Sequence, residues 1–420
     1  MRAFSFIHAA DLHLGSPFMG VGSGSPAAAG RLRSATFDAF SGLIDLCLEK
    51  SVTFLLVAGD IFDFSDRSLR AQLTFRDGLS RLTEAGIRVF VVFGNHDPSE
   101  AWSSRISWPQ GIHIFSPDRV ETVIVSAGET PVATVSGISY RNRHETRNLA
   151  SLFKAEQPNL FQIALLHSNC GDNPDHGAYA PCSVSELRKS GFDYWALGHV
   201  HEHRVLETLP CIVYPGCLQG LSIRETGEHG CCLVSVTADG RAELSFQPLD
   251  RLRWQSPEIS IAGIETLDSL DRIMAETLSR ICEEEHPRSV ISRIRLTGRG
   301  PLYSRLRQKA TAEELLDRFR QLGEQLSPPL WIQEIVNQCL PEVDLEKRRT
   351  MDDLLGQVLR SAGDLGVRAG FSAADLMLVL ADIYDHPKLG RYLGALSSSD
   401  LETLLRDAAL ICYDLLESDS

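Results

Sequence analysis

Five short apolar runs punctuate the first 200 residues, and each gives way abruptly to polar side chains. Phe4–Ala9, Thr53–Ala58, Ile87–Phe93, Phe161–Leu166 and Tyr194–Leu197 are rich in β-branched and aromatic residues, a pattern that predicts buried strands. Between the first two, Phe37, Phe40, Leu43, Ile44 and Cys47 recur at i, i+3, i+4 spacing, which predicts a helix over about Arg31–Lys50. A second helix is expected over Ser68–Ala85, with Gly86 placed to stop it. Strands alternating with helices imply parallel pairing through right-handed crossovers. Shorter β-type segments follow at Val120–Val125, Val132–Ser136, Cys211–Tyr214, Cys231–Val236 and Ala242–Phe246, and they predict a second sheet packed on the first. The expected core is therefore a layered α/β sandwich. Gly20–Gly30, built of small residues, is read as a loop at its rim.

After the turn-like Asp250–Pro257 the pattern changes to strand (Glu258–Ala262), helix (Leu267–Glu284), strand (Ser289–Leu296), helix (Ala312–Leu326) and strand (Leu330–Val336). Beyond Pro341 only helical periodicity remains, over Thr350–Ala362, Ser372–Tyr384 and Ser399–Leu416. Ser372 and Ser399 stand three residues ahead of Asp375 and Glu402, as in a capping box. Three parts are expected: 1–250, a small α+β domain over 257–340, and a helical region over 345–420.

Composition is ordinary for a globular chain, with 43% hydrophobic and 23% charged residues in 420. Asp11 cuts off the N-terminal apolar run, so neither a signal peptide nor a membrane span fits, and a cytoplasmic protein is expected. The ten cysteines form no C-x-x-C pair, which predicts reduced thiols rather than a zinc ribbon or a disulfide framework. A net charge of −14 argues against binding polyphosphate through the overall field, so any nucleic-acid contact must be local. One basic stretch stands out, Arg288–Arg320, containing Arg293, Arg295, Arg299, Arg305 and Arg307. It reads either as the solvated faces of a strand and a helix or as a track for a phosphate backbone.

The chemistry lies at the exits of the five runs. Asp11-Leu12-His13, Gly59-Asp60-Ile61-Phe62-Asp63, Gly94-Asn95-His96-Asp97, His167 and Gly198-His199-Val200-His201 come after them in order. Each motif alone is weak, but polar residues at strand C-termini converge where open α/β sheets bind ligands. Seven potential ligands, Asp11, His13, Asp60, Asn95, His167, His199 and His201, therefore point to one dinuclear metal centre. Alternate residues of Asp11-x-His13 can grip one ion, while His199-x-His201 can do the same or divide between two. Asp60 can bridge two ions about 3.5–4 Å apart, the spacing that clamps an in-line displacement, with metal-bound hydroxide as the expected nucleophile. Imidazole, carboxylate and amide donors without thiolate suit Mn²⁺, Fe²⁺ or Zn²⁺ better than Mg²⁺ alone. His96 can face the substrate phosphate as proton donor or oxyanion stabiliser, with Asp97 expected to orient its ring.

These motifs resemble the calcineurin-like metallophosphoesterases, and among them the nuclease subunit of the SbcCD double-strand-break repair complex and its relatives. The YhaO-type DNA repair exonuclease family is the nearer likeness, through His8–Phe18, Ala58–Asp63, Tyr179–Cys182, Asp193–His201, Tyr214–Gly216 and Gln219-Gly220. The resemblance is strong over residues 1–250 and architectural beyond. It implies a four-layer αββα sandwich with an α+β capping domain, and C-terminal helices that dock on the coiled coil of an SMC-like (SbcC-like) ATPase. It further implies one manganese-type ion held by Asp11, His13, Asp60 and His201, and another by Asp60, Asn95, His167 and His199. His96 would be the catalytic histidine with Asp97 its partner, DNA the substrate, and a homodimer the working form. Two departures matter: the archaeal and eukaryotic nucleases carry a histidine where this chain has Asp63, and Cys217 and Leu221 replace the Asn and Arg expected after Pro215-Gly216.

The leading expectation is thus a metal-dependent DNA exo/endonuclease of DNA repair. The alternative is a metallophosphoesterase acting on a small phosphodiester; protein phosphatase activity is disfavoured because Phe64-Ser65 replaces the Arg-Gly that would follow Asp63. A third reading, a scaffold with a vestigial metal site, conflicts with the complete ligand set.

Overall fold

The structure, a computed structural model, describes residues 2–18, 26–63, 68–99, 107–171, 179–342, 345–357 and 359–360, with 404, 408 and 411. Its contacts divide the chain into two compact units. One is Met1–Ser256 with Leu278–Arg293 and Arg320–Gln333; the other is Pro257–Thr277 with Ile294–Phe319 and Glu334–Ser420.

In the first unit, β1 (Phe4–Ala9), α1 (Pro26–Lys50), β2 (Phe54–Ala58), α2 (Leu69–Glu84), β3 (Arg88–Val92) and β4 (Ile112–Ile114) follow in sequence. β1 to β4 pair in parallel. After them come β5 (Glu121–Ala127), β6 (Thr130–Gly137), β7 (Phe161–His167), α3 (Val184–Lys189), β8 (Tyr194–Gly198), β9 (Arg204–Thr208), β10 (Cys211–Tyr214), β11 (Gly230–Val236) and β12 (Ala242–Pro248). Two six-stranded sheets result, ordered β12-β11-β1-β2-β3-β4 and β5-β6-β7-β8-β10-β9.

The layering follows from the two-residue period of a strand, which sends neighbouring side chains to opposite faces. Ile7, Leu55, Val57, Val89 and Val91 join Phe40, Leu43, Phe75 and Leu79 in the core beneath α1 and α2. Their neighbours Phe6, Phe54, Leu56, Phe90 and Val92 meet Ile163, Leu165, Tyr194 and Ala196 in a second core between the sheets. Ala164, Leu166, Trp195 and Leu197 leave the far face of the second sheet to pack with Leu149, Phe153 and Leu187. Central strands buried on both faces carry no regular polar alternation, which is why the sequence shows them as nearly continuous apolar runs. Aromatic contacts fasten the middle layer: Phe6 stacks on Phe54 at 5.0 Å and meets Tyr194 edge-on at 5.2 Å.

Sheet membership and several segments differ from the sequence-based expectation: β7 and β8 belong to the second sheet while β11 and β12 join the first, and Leu252–Gln255, read as turn-like, is a strand. The loop expected over Gly20–Gly30 is helical from Pro26, since proline is tolerated in a first helical turn and the alanines after it are strong helix formers. β9 was not anticipated because its residues are largely exposed and read as polar.

β13 (Leu252–Gln255), in the first unit, pairs in parallel with the opening half of β15 (Ser289–Thr297), Leu252 opposite Ser289 through Gln255 opposite Ser292. In the second unit β14 (Glu258–Ser260) pairs with the closing half, Glu258 opposite Arg295 through Ser260 opposite Thr297. α4 (Leu267–Glu285), α5 (Tyr303–Leu306), α6 (Lys309–Glu324), β16 (Leu330–Asn337) and α7 (Leu345–Arg349) complete the elements. The helices expected over Ser372–Tyr384 and Ser399–Leu416 lie outside the described residues, save single positions, and that over Thr350–Ala362 lies partly so.

Phe54 is fully buried against Phe4, Phe6 and Phe90. Phe54→Ala should destabilise the protein by about 3–5 kcal/mol, read from its urea midpoint; a change under about 1 kcal/mol would contradict the two-sheet core.

Candidate metal centre

Every strand that carries a predicted ligand ends on the same edge. Asp11 and His13 follow β1, Asp60 follows β2, Asn95 and His96 follow β3, His167 closes β7, and His199 and His201 follow β8. Their loops are cross-braced by backbone bonds from Asp11 N–H to the Gly59 carbonyl (3.0 Å), His13 N–H to Asp60 (3.1 Å) and Leu14 N–H to Ile61 (2.9 Å). Carboxylates brace them further. Asp11 accepts from His199 N–H with Oδ2 at 3.0 Å, and Asp60 Oδ1 accepts from His96 N–H at 2.8 Å.

The loops are held in uncommon conformations. Asp11 (φ 50°), His13 (42°), Asp60 (50°) and His199 (105°) all have positive φ, a region L-residues seldom enter without a functional reason. Two glycines leave room that a side chain would fill. A Cβ on Gly94 would stand 2.3 Å from Asp60 Oδ1 and 2.8 Å from His167 Nε2, and one on Gly59 would stand 2.5 Å from His167 Nδ1.

The donor atoms fall into adjoining groups. Asp11, His13 and His201 converge in one, and Asp60, His167 and His199 in another, each within 4.8 Å. Asn95 joins the latter, its Oδ1 3.0 Å from His167 Nε2. All seven expected ligands thus come together. His13 Nε2 and His201 Nε2 face each other at 3.3 Å. Two imidazole nitrogens bound to one ion at about 2.1 Å stand about 3.0–3.4 Å apart for right-angle to tetrahedral geometry, so the pair fits a shared cation.

Comparison with known proteins agrees. Residues 4–203 match the calcineurin-like phosphoesterase family, and residues 254–340 match the middle domain of metallophosphoesterase YhaO. A Bacillus subtilis (strain 168) protein described as uncharacterized metallophosphoesterase YhaO is 31% identical over 408 residues, covering 97% of this chain and 96% of that protein. The chain belongs to the calcineurin-like metallophosphoesterases. More distant likenesses are to proteins described as DNA double-strand break repair protein Mre11. That of Sulfurisphaera tokodaii is 32% identical, covering 41% of this chain and 44% of that protein. That of Thermoplasma acidophilum is 25% identical, covering 62% and 70%.

One expectation about the metallophosphoesterase site is corrected. Asp97 does not orient His96. Its carboxylate is spent on backbone, accepting from Ile61 N–H at 2.6 Å and Gly94 N–H at 2.7 Å, so it ties the β2 loop to the β3 loop. The ring of His96 is instead bonded through Nδ1 to Asp63 Oδ1 at 3.0 Å. Sequence adjacency misled because successive residues in a tight loop point apart, whereas Asp63 comes back from the neighbouring strand. Sequence reasoning also missed Glu225, whose Oε1 lies 2.7 Å from His201 Nδ1; no spacing signal links the two. His8, three residues before Asp11, is no ligand: it is fully buried between the Tyr194 hydroxyl and the Leu197 carbonyl.

The basic stretch is dispersed. Arg293 and Arg295 are half-buried on β15, with Arg295 bonded to Glu258 at 3.2 Å. Arg299 donates to the Pro341 carbonyl, Arg305 is exposed, and Arg307 lies over the Tyr303 ring.

Electrostatics favour cations. Burial works against charge on Asp60, yet His167, His96 and His13 hold it well below the usual carboxylate range. Burial raises Asp11, and burial with the nearby Asp60 lifts Asp97 to about 7. Burial and His201 push His13 down to about 3. Burial opposes charge on His167, but Asp60 and Asp11 raise it to about 9; burial likewise opposes charge on His201, but Glu225 and Asp11 raise it to about 9.

These values set a pH dependence. With values near 9, both rings hold a proton at neutral pH before an ion binds, and the ion must displace it. Raising the pH removes that competitor. Manganese affinity should therefore climb about ten-fold per pH unit for each displaced proton between about pH 6 and 8. Calorimetry in buffers of different ionisation enthalpy should register the released protons; flat affinity without release would contradict the assignment.

Proposed function

We propose that this metallophosphoesterase is a nuclease that hydrolyses DNA phosphodiester bonds in DNA repair. The observation that carries the reading is the His96–Asp63 pair standing beside two converging donor groups. The rings of His13 and His96 lie 5.1 Å apart, and the His96 side chain is 30% exposed and reachable by substrate. Asp11, His13 and His201 would hold one divalent ion, and Asn95, His167 and His199 the other, with Asp60 between them. Bound there, a manganese-type pair would polarise the phosphodiester and lower the pKa of water. Burial opposes charge on His96, but its bond to Asp63 and the field of Asp60 raise its pKa. The ring is thereby more disposed to carry a proton that it can deliver to the leaving oxygen. Asp63 fixes which nitrogen faces outward, and Asp97 keeps the two loops in register.

Likeness to proteins described as DNA double-strand break repair Mre11 supports DNA as substrate. Residues 257–340 would cap the DNA groove, with Arg293, Arg295, Arg299, Arg305 and Arg307 contacting backbone phosphates. An SMC-like coiled-coil ATPase docking on residues 345–420, a homodimer and a cytoplasmic location extend the proposal. A second reading, hydrolysis of a small phosphodiester, is favoured by one observation: Glu258 already takes up the charge of Arg295.

End-labelled single- and double-stranded oligonucleotides incubated with Mn²⁺ or Mg²⁺ test the proposal. Cleavage should be faster with Mn²⁺, and His96→Ala should slow it about 10²–10⁴-fold with metal binding retained. Asp63→Asn should also slow cleavage without loss of metal, whereas Asp97→Asn should weaken metal binding itself. DNA affinity should fall steeply with salt. Turnover of a chromogenic phosphodiester with no oligonucleotide cleavage would replace DNA by the small substrate.

A further inference from the structure

His201 is gripped twice by the loop that comes after β10. Its backbone carbonyl accepts from Cys217 N–H at 3.1 Å, just after Gly216, where an added Cβ would stand 2.8 Å from that same oxygen. Its ring is bonded through Nδ1 to Glu225 Oε1 at 2.7 Å, leaving Nε2 turned toward His13. Glu225 is itself fixed. Its Oε2 accepts from Leu221 N–H at 2.6 Å, its backbone N–H bonds to the Ser222 carbonyl at 2.9 Å, and its carbonyl lies 3.1 Å from His229 Nε2. His229 is held in turn by Cys217 Sγ, 3.2 Å from Nδ1.

We propose that Glu225 is a positioning residue for the metal centre, holding the His201 ring so that Nε2 is presented to the ion shared with Asp11 and His13. A histidine that donates its far N–H to a carboxylate has its tautomer and ring plane fixed and its ligating nitrogen made more electron-rich, and such partners are commonly worth 10–100-fold in metal affinity. The side chain is rigid because both oxygens are engaged. The bonds from Cys217 to the His201 carbonyl and from Leu221 to the carboxylate are both made by backbone N–H groups, so they do not depend on which side chain stands at either position. This role for Glu225 rests on the metal reading of Asp11, His13 and His201.

The test is manganese titration of the full chain by calorimetry and electron paramagnetic resonance, comparing wild type with Glu225→Gln and Glu225→Ala. Two ions should bind wild type; if none does, the metal reading fails and not merely this inference. Glu225→Ala should weaken one ion about 10–100-fold and leave the other unchanged, while Glu225→Gln, which retains an oxygen acceptor, should fall between. Apo-protein melting of Glu225→Gln within a degree or two of wild type would exclude a purely structural effect. Wild-type affinity for both ions in both variants would overturn the proposal, and so would equal loss of both ions with a lowered melting temperature in Glu225→Gln. A wild-type stoichiometry of three falling to two would also overturn it, because Glu225 would then be a ligand with His201 and Cys217.

Discussion

Three buried carboxylates each grip the backbone of at least one loop other than their own, and the site depends on that arrangement. Asp11, after β1, accepts from the N–H of His199; Asp60, after β2, accepts from that of His96; Asp97, after β3, accepts from those of Ile61 and Gly94. Strand ends alone bring the loops to one edge; the carboxylates bring them into register. An unpaired carboxylate in such a place would be costly, so each bond both relieves its acceptor and constrains its donor. Positive φ at Asp11, His13, Asp60 and His199 is tolerated because the surrounding bonds over-determine those loops.

The same packing makes the centre electrostatically unsettled without cations. Burial and the nearby Asp60 lift Asp11 and Asp97, while the imidazoles divide, His13 driven down and His167 and His201 driven up. Like groups crowded this closely cannot all hold their preferred charge. Divalent ions between the proposed ligand sets would satisfy both carboxylate and imidazole at once, and the family to which the chain belongs is one of metallophosphoesterases.

Much of this was legible in the sequence because β1, β2, β3, β7 and β8 are covered on both faces. They show as apolar runs, and the residue that ends each run marks the sheet edge. Period and chain order sufficed to gather Asp11, His13, Asp60, Asn95, His167, His199 and His201. Features that depend on a bond made across the fold escaped. The partner of His96 is Asp63, not its neighbour Asp97, and Glu225 reaches His201 from a loop with no periodic signature. Polar edge strands such as β9 and the Ala-rich start of α1 also escaped, since edge exposure blurs the strand pattern and small residues read as a loop.

The central claim is that Asp60 sits between two cations gathered by loops from five strands. Anomalous diffraction from crystals grown with Mn²⁺ tests it most directly. Two peaks about 3.5–4 Å apart, one beside Asp11, His13 and His201 and the other beside Asn95, His167 and His199, are the predicted result. A single peak, or peaks away from Asp60, would contradict the account.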